Sequence, residues 1–320
     1  MLATQRSLAS VQLHRITPAA IAESATPWRE AALEGFRRRN ASLDALFYDV
    51  GKVKEEEARQ IAPWLAREGA LLIVPPTGEG PLRLCPSIDD FASQGGENIR
   101  ALAVAGVGSS ALGAAAFARN VADAFSSSVA AVVSGYGLSD LIAEAAGGWF
   151  WFGALNRARH AFQWLDYATG GVLEAELARS AEATRALRGM SLDTRAVYAL
   201  LSDERFRFRL LTGHSKGNLV ISEALYELED DDKGGKLSSD TWVVTISAAI
   251  AMPWRFRNII DVIGDIDWFG AVNSRLGIDV ELKPHMAWHH TNTELWWHLP
   301  VTQVFQDLIA TRGISLNEGD

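Results

Sequence analysis

Ser215 stands at the centre of Gly213-His214-Ser215-Lys216-Gly217, between an apolar run and a helical one. A serine at a sharp strand-to-helix turn can attack a carbonyl carbon, because the turn lifts its hydroxyl above the strand ends. Such a turn holds its central residue in a strained backbone conformation, and side chains two positions either side would collide. Glycine at 213 and 217 removes that collision. The amide of Lys216, at a helix N-terminus, then faces negative charge developing on the carbonyl oxygen. Ser215 is the candidate nucleophile and Lys216 a candidate oxyanion donor.

A serine hydroxyl is inert near neutral pH without a histidine to take its proton and an acid to fix that histidine's tautomer. The acid should follow a later strand, and Gly264-Asp265-Ile266-Asp267 lies just past the apolar run 258–263. Asp267 and Asp265 both qualify by position, and at least one should cap the turn. The histidine should come later still, before a C-terminal helix. His285, His289, His290 and His298 are all there, and the doublet His289-His290 is best placed. The two cannot both face Ser215, and the sequence does not separate them. His214 is poorly placed as a base, since neighbours in a tight turn point apart; we expect it beneath the oxyanion position, at the wall of the substrate pocket. No metal site is expected, because the histidines lack a carboxylate or cysteine at ligand spacing.

The elements that must position these groups alternate between apolar runs and helices. Strands are expected at 45–50, 70–74, 99–105, 129–133, 206–211, 242–247 and 258–263. Helices are expected at 54–68, 111–125, after Ser215 and near 301–311. The stretch 75–96 is rich in Pro, Gly, Ser and Asp and should be irregular. Such alternation implies an α/β fold, a mostly parallel sheet with helices on both faces. Residues 1–40 read as a helical N-terminal extension, with Arg37, Arg38 and Arg39 as a solvated helix face, and residues 41–320 as one domain. The interval 136–205 far exceeds a usual connection of roughly 2–6 residues and one helix, so it is expected to be an aromatic-rich helical insertion and a lid candidate. Its Trp149, Trp151 and Phe152 could line an apolar pocket.

A chain of 320 residues with 48% apolar composition supports a large core. Its net charge of −9 argues against nucleic acid or an anionic membrane as partner. The single cysteine, Cys85, allows no intrachain disulfide. Residues 1–20 lack the apolar core of a signal peptide, and 102–118 is too rich in Ala, Gly and Ser to insert stably in a bilayer. A cytoplasmic protein is expected.

The order Ser, Asp, His, with the elbow at Gly213–Gly217, resembles the α/β-hydrolase superfamily, and in particular its lipases and esterases, over about Phe47 to Ile309. Gly264-Asp265-Ile266-Asp267 is similar to the acid turn of that superfamily, which favours Asp267. The resemblance places the second oxyanion amide in the loop Gly106-Val107-Gly108-Ser109-Ser110, with Ser109 or Ser110 as donor. It implies a serine esterase or lipase with no cofactor, and the aromatic insertion suggests a small-molecule ester with an apolar acyl or aromatic group. An acyltransferase or thioesterase with the same triad, or a non-catalytic binding protein on the fold, are the alternatives. Gly106-x-Gly108 and Gly113 opening an alanine-rich helix also form a loose dinucleotide fingerprint, with Asp123 poorly placed to complete it.

Overall fold

The computed structural model describes residues 44–61, 68–106, 109–134, 192–230, 237, 241–274 and 280–317. The expected N-terminal extension and the aromatics Trp149, Trp151 and Phe152 lie outside the described residues, as do Val107 and Gly108 of the glycine-rich loop.

Four- and five-residue apolar runs become strands because both their faces are covered, as parallel sheets require. Along the chain the elements are α1 (Glu55–Ile61), β1 (Leu71–Val74), β2 (Arg83–Cys85), α2 (Ile88–Ser93), β3 (Ala101–Val104) and α3 (Ala111–Phe125). They continue as β4 (Val129–Val132), α4 (Leu192–Ser202), β5 (Leu210–His214), α5 (Lys216–Asp230), β6 (Trp242–Ile246), β7 (Ile259–Val262), α6 (Trp268–Val272) and α7 (Val301–Arg312). The sheet runs β2-β1-β4-β3-β5-β6-β7. Strands β4, β3, β5, β6 and β7 are mutually parallel, whereas β1 is antiparallel to both β2 and β4.

Side chains alternate across the sheet with the period of two that a pleated strand imposes. Leu72, Val74, Ala101, Ala103 and Ala131 pack with Ala115, Phe117 and Val121 of α3 and Val304, Phe305 and Leu308 of α7. Leu71, Ile73, Leu102, Val104, Ala130 and Val132 pack on the other face with Val197 and Leu200 of α4 and Val220, Ile221 and Leu225 of α5. The helices therefore cover both faces, as the alternation of runs implied. The alanines of α3 let it lie close to the sheet, and α7 packs against α3. Among the described residues, no helix is long and apolar enough to cross a membrane.

Three expectations are corrected. The run 45–50 is not a strand: residues 44–47 are helical and a 3₁₀ turn follows at Val50–Lys52. Its backbone is held elsewhere, with the carbonyls of Ala45 and Phe47 accepting from Asn292 and Thr291. The stretch 75–96 is not irregular throughout: β2 returns antiparallel along β1, and Ser87 caps α2 by accepting from the Asp90 amide. The elbow strand enters the sheet at Leu210 rather than at 206. Phe206 and Phe208 are buried before it, and the Arg100 carbonyl takes the amides of Arg209 and Leu210.

Candidate active site

The parallel register carries the end of β5 to the rim of the sheet, where Gly213 lies level with Val104 of β3 and Thr245 of β6. Ser215 follows with φ of 53°, in the left-handed region that a non-glycine residue occupies only at a cost of about 1–3 kcal/mol. Three contacts hold it there. Its amide donates to the Ile246 carbonyl at 2.9 Å, and the buried Asn218 side chain donates from Nδ2 to the carbonyls of Ile246 and Ala248 at 3.0 and 2.8 Å. The glycines have the reason the sequence suggested: a Cβ at Gly213 would strike Asn218, and one at Gly217 would overlap the Val104 carbonyl. Asn218, directly after the pentapeptide, is a buried polar residue whose role as an elbow tie the sequence reading missed.

His289 meets the serine. Ser215 Oγ donates to His289 Nε2 at 3.1 Å, and His289 Nδ1 donates to Asp267, 3.1 Å from Oδ1 and 3.0 Å from Oδ2. Asp267 and His289 are 1% and 3% exposed, so their attraction is little screened by water. Asp267 follows β7 and also caps α6, its Oδ1 accepting the Gly270 amide at 2.7 Å. One carboxylate thus both caps the turn and faces the histidine. The His289 ring is fixed on its edges by Phe269 at 4.7 Å between centroids and by Phe47 at 6.1 Å, both near perpendicular.

The rival positions resolve just as directly. His290 turns away, Nε2 donating to the Trp296 carbonyl at 3.0 Å, and burial lowers its pKa. Residues adjacent in an extended segment project to opposite sides, so only one member of the doublet could meet Ser215. Asp265 pairs instead with His285, at 2.8 Å on the exposed rim. His298 donates from Nδ1 to the Leu295 carbonyl.

His214 is a correction to the pocket assignment. It is 2% exposed, lies beneath the elbow among Tyr48, Phe117 and the His289 ring, and bonds to Tyr48 and the His289 carbonyl. Burial, with His289 nearby, holds its pKa down at about 3, so the ring is neutral.

Ser109 and Ser110 are a second correction. The Ser109 amide donates to the Gly106 carbonyl, and the Ser110 amide donates to the Asp44 carboxylate at 3.1–3.2 Å. Both backbone donors are committed within the fold, so neither serves an oxyanion. Ser110 instead caps α3, its Oγ accepting from Leu112 while also bonding Asp44. The same carboxylate lies at the helix N-terminus where a pyrophosphate would sit.

Lys216, the remaining oxyanion candidate, opens α5, where the helix dipole favours developing negative charge. Its side chain is nearly buried, with Nζ 3.8 Å from the fully buried Asp193. Glu68 accepts the amides of Leu192 and Asp193 at the start of α4, and burial together with the Asp193 charge pushes its pKa up to about 7.

Asp44 is fully buried, and desolvation raises its pKa to about 7 from an ordinary 3.8, against the lowering effect of its bonds to Ser110. The folded chain therefore holds a proton on Asp44 that the unfolded chain releases near pH 4. Between about pH 4 and pH 7 the native state binds more protons, so stability falls as pH rises. Glu68 shifts in the same direction and adds to the slope. Calorimetry should show a melting temperature that drops by about 5 °C between pH 5 and pH 8, and Asp44→Asn should flatten that decline.

Among the described residues, no cluster of three or more His, Cys, Asp or Glu side chains could hold a metal ion. Comparison with protein-family models, with curated proteins and with solved structures returned no match to this chain.

Proposed function

We propose that the chain is a serine hydrolase of carboxylic esters, working through an acyl-enzyme on an α/β-hydrolase fold. The observation that carries this reading is the buried relay Ser215–His289–Asp267, met by a serine with φ of 53° between a parallel strand and a helix.

In this reading Ser215 Oγ attacks the ester carbonyl carbon as its proton passes to His289 Nε2. Asp267 keeps the Nδ1–H tautomer that leaves Nε2 open to receive that proton, and its charge stabilises the imidazolium. Negative charge moves to the former carbonyl oxygen, beside the N-terminus of α5 and the Lys216 amide. Collapse breaks the bond to the alkoxy oxygen, which leaves as alcohol with the proton from His289. Water then attacks the acyl-serine, giving its proton to His289, and release of the carboxylic acid restores the Ser215 hydroxyl.

Apolar acyl groups fit the surroundings. The loops bearing Asp267 and His289 are joined by Ile266 N–H to the Ala287 carbonyl, and the His289 segment is closed on itself by Trp288 N–H to the Trp297 carbonyl. They expose Ile266, Trp268, Met286, Trp296 and Trp297, an apolar surface in a chain of net charge −9. A fluorophosphonate probe should label folded protein stoichiometrically, with peptide mapping placing the adduct on Ser215. A p-nitrophenyl ester series should be cleaved best at medium to long acyl lengths. Unlabelled, well-folded protein would overturn the reading.

A further inference from the structure

His214 is a buried titratable side chain that the proton relay does not use, yet its ring has two directed partners. Nε2 lies 2.8 Å from the His289 carbonyl oxygen, and Nδ1 lies 2.9 Å from Tyr48 Oη. A carbonyl can only accept, so Nε2 carries the hydrogen and donates it. Nδ1 of the neutral ring then accepts, so Tyr48 donates its hydroxyl hydrogen to Nδ1. Tyr48 Oη in turn accepts from the Gly106 amide at 2.7 Å. One assignment of hydrogens satisfies the whole set, and the depressed His214 pKa agrees with it.

The chain of bonds runs from the loop after β3, through Tyr48, to the last residue of β5, and on to the backbone of the loop that carries the base. Gly106 is part of the fit: a Cβ there would lie 3.1 Å from Tyr48 Oη and 3.2 Å from His214 Nδ1. Ser247 Oγ adds only a long contact of 3.4 Å to the same His289 carbonyl. His214 is therefore the main hold on that oxygen.

We infer that His214 is a positioning residue: it anchors the backbone of His289 from beneath the elbow, and Tyr48 fixes the tautomer that lets it do so. This rests on His289 being the general base, and it adds a reason for histidine between Gly213 and Ser215. The requirement is a ring that donates from Nε2 at one end and accepts at the other. Gln can supply the first function; Leu supplies neither.

The test joins kinetics to ring spectroscopy. His214→Leu should lower kcat for p-nitrophenyl butyrate on the order of 10- to 100-fold with KM changed less than about threefold, because a misplaced base costs turnover rather than binding. The acid limb of the kcat/KM profile should move as well. His214→Gln should recover most of the loss. Tyr48→Phe, which removes the donor to Nδ1, should reproduce part of it and serves in place of His214→Leu if that variant does not fold. Equal loss in Leu and Gln, or no loss in either, overturns the inference. Independently of turnover, ¹⁵N spectra of the histidine rings should show His214 as the neutral Nε2–H tautomer between about pH 5 and pH 8; an Nδ1–H tautomer overturns it. Wild-type protein inactive on esters but with Nε2–H on His214 would refute the esterase reading and leave the tether standing. Active protein with Nδ1–H would do the reverse.

Discussion

Ser215→Ala is expected to cut kcat for ester hydrolysis by about 10⁴- to 10⁶-fold while leaving the fold intact. The attacking atom is lost, and His289 cannot replace it because its Nε2 is placed to receive a proton from Oγ. Little stability should go with it. Alanine meets the same strain at φ of 53°, and the ties that hold the turn, Ser215 N to Ile246 O and Asn218 to Ile246 and Ala248, are backbone or belong to another side chain. Thermal unfolding should therefore stay within about 0.5 kcal/mol of the parent. A variant that retains more than a hundredth of parental kcat, measured on protein purified free of host esterases, would show that another group performs the attack.

Asp267→Asn is the second large effect, at about 10⁴-fold in kcat. An asparagine amide can still cap α6 through its Oδ1, as Asn and Asp are comparable N-caps. Its NH₂ group, however, presents a donor to His289 Nδ1, favouring the tautomer with hydrogen on Nε2. Such a ring cannot accept the Ser215 proton. The loss should thus fall on kcat with the melting temperature nearly unchanged. Asp265→Asn is the matched control: its carboxylate faces the exposed His285, and kcat should stay within about twofold of parent. If both variants lost activity alike, the effect would be one of local charge rather than of tautomer.

The elbow was legible in sequence because sterics dictate it. Two glycines around a serine, after a β run and before a helix, admit few other backbones, and the close approach of Gly217 to Val104 is the reason. The buried strands were legible for a related cause, since continuous apolar runs bounded by helices have few places to go. What the sequence concealed depends on partners far along the chain. An apolar run such as 45–50 suits a strand or a helical turn equally, and only its bonds to Thr291, Asn292 and Thr293 decide the matter. The choice between His289 and His290 is likewise made by Asp267 on one side and the Trp296 carbonyl on the other. Ser109 and Ser110 looked like oxyanion donors until Asp44 claimed one amide, and nothing in local sequence announces that claim.

The clasp between residues 45–49 and 291–293 has a consequence for the life of the chain before it is complete. Contacts separated by some 244 positions join the strap below Phe47 to the loop that bears the base. Contacts of such sequence separation form late, because loop-closure entropy must be met first. A ribosome-bound chain long enough to display Ser215 and Asp267 already carries residues 45–49 but still lacks His289 and the segment 291–293 that they clasp. On the proposed reading, hydrolytic competence should therefore arise only after residue 293 has emerged, and a nascent polypeptide stalled before residue 289 would be catalytically silent.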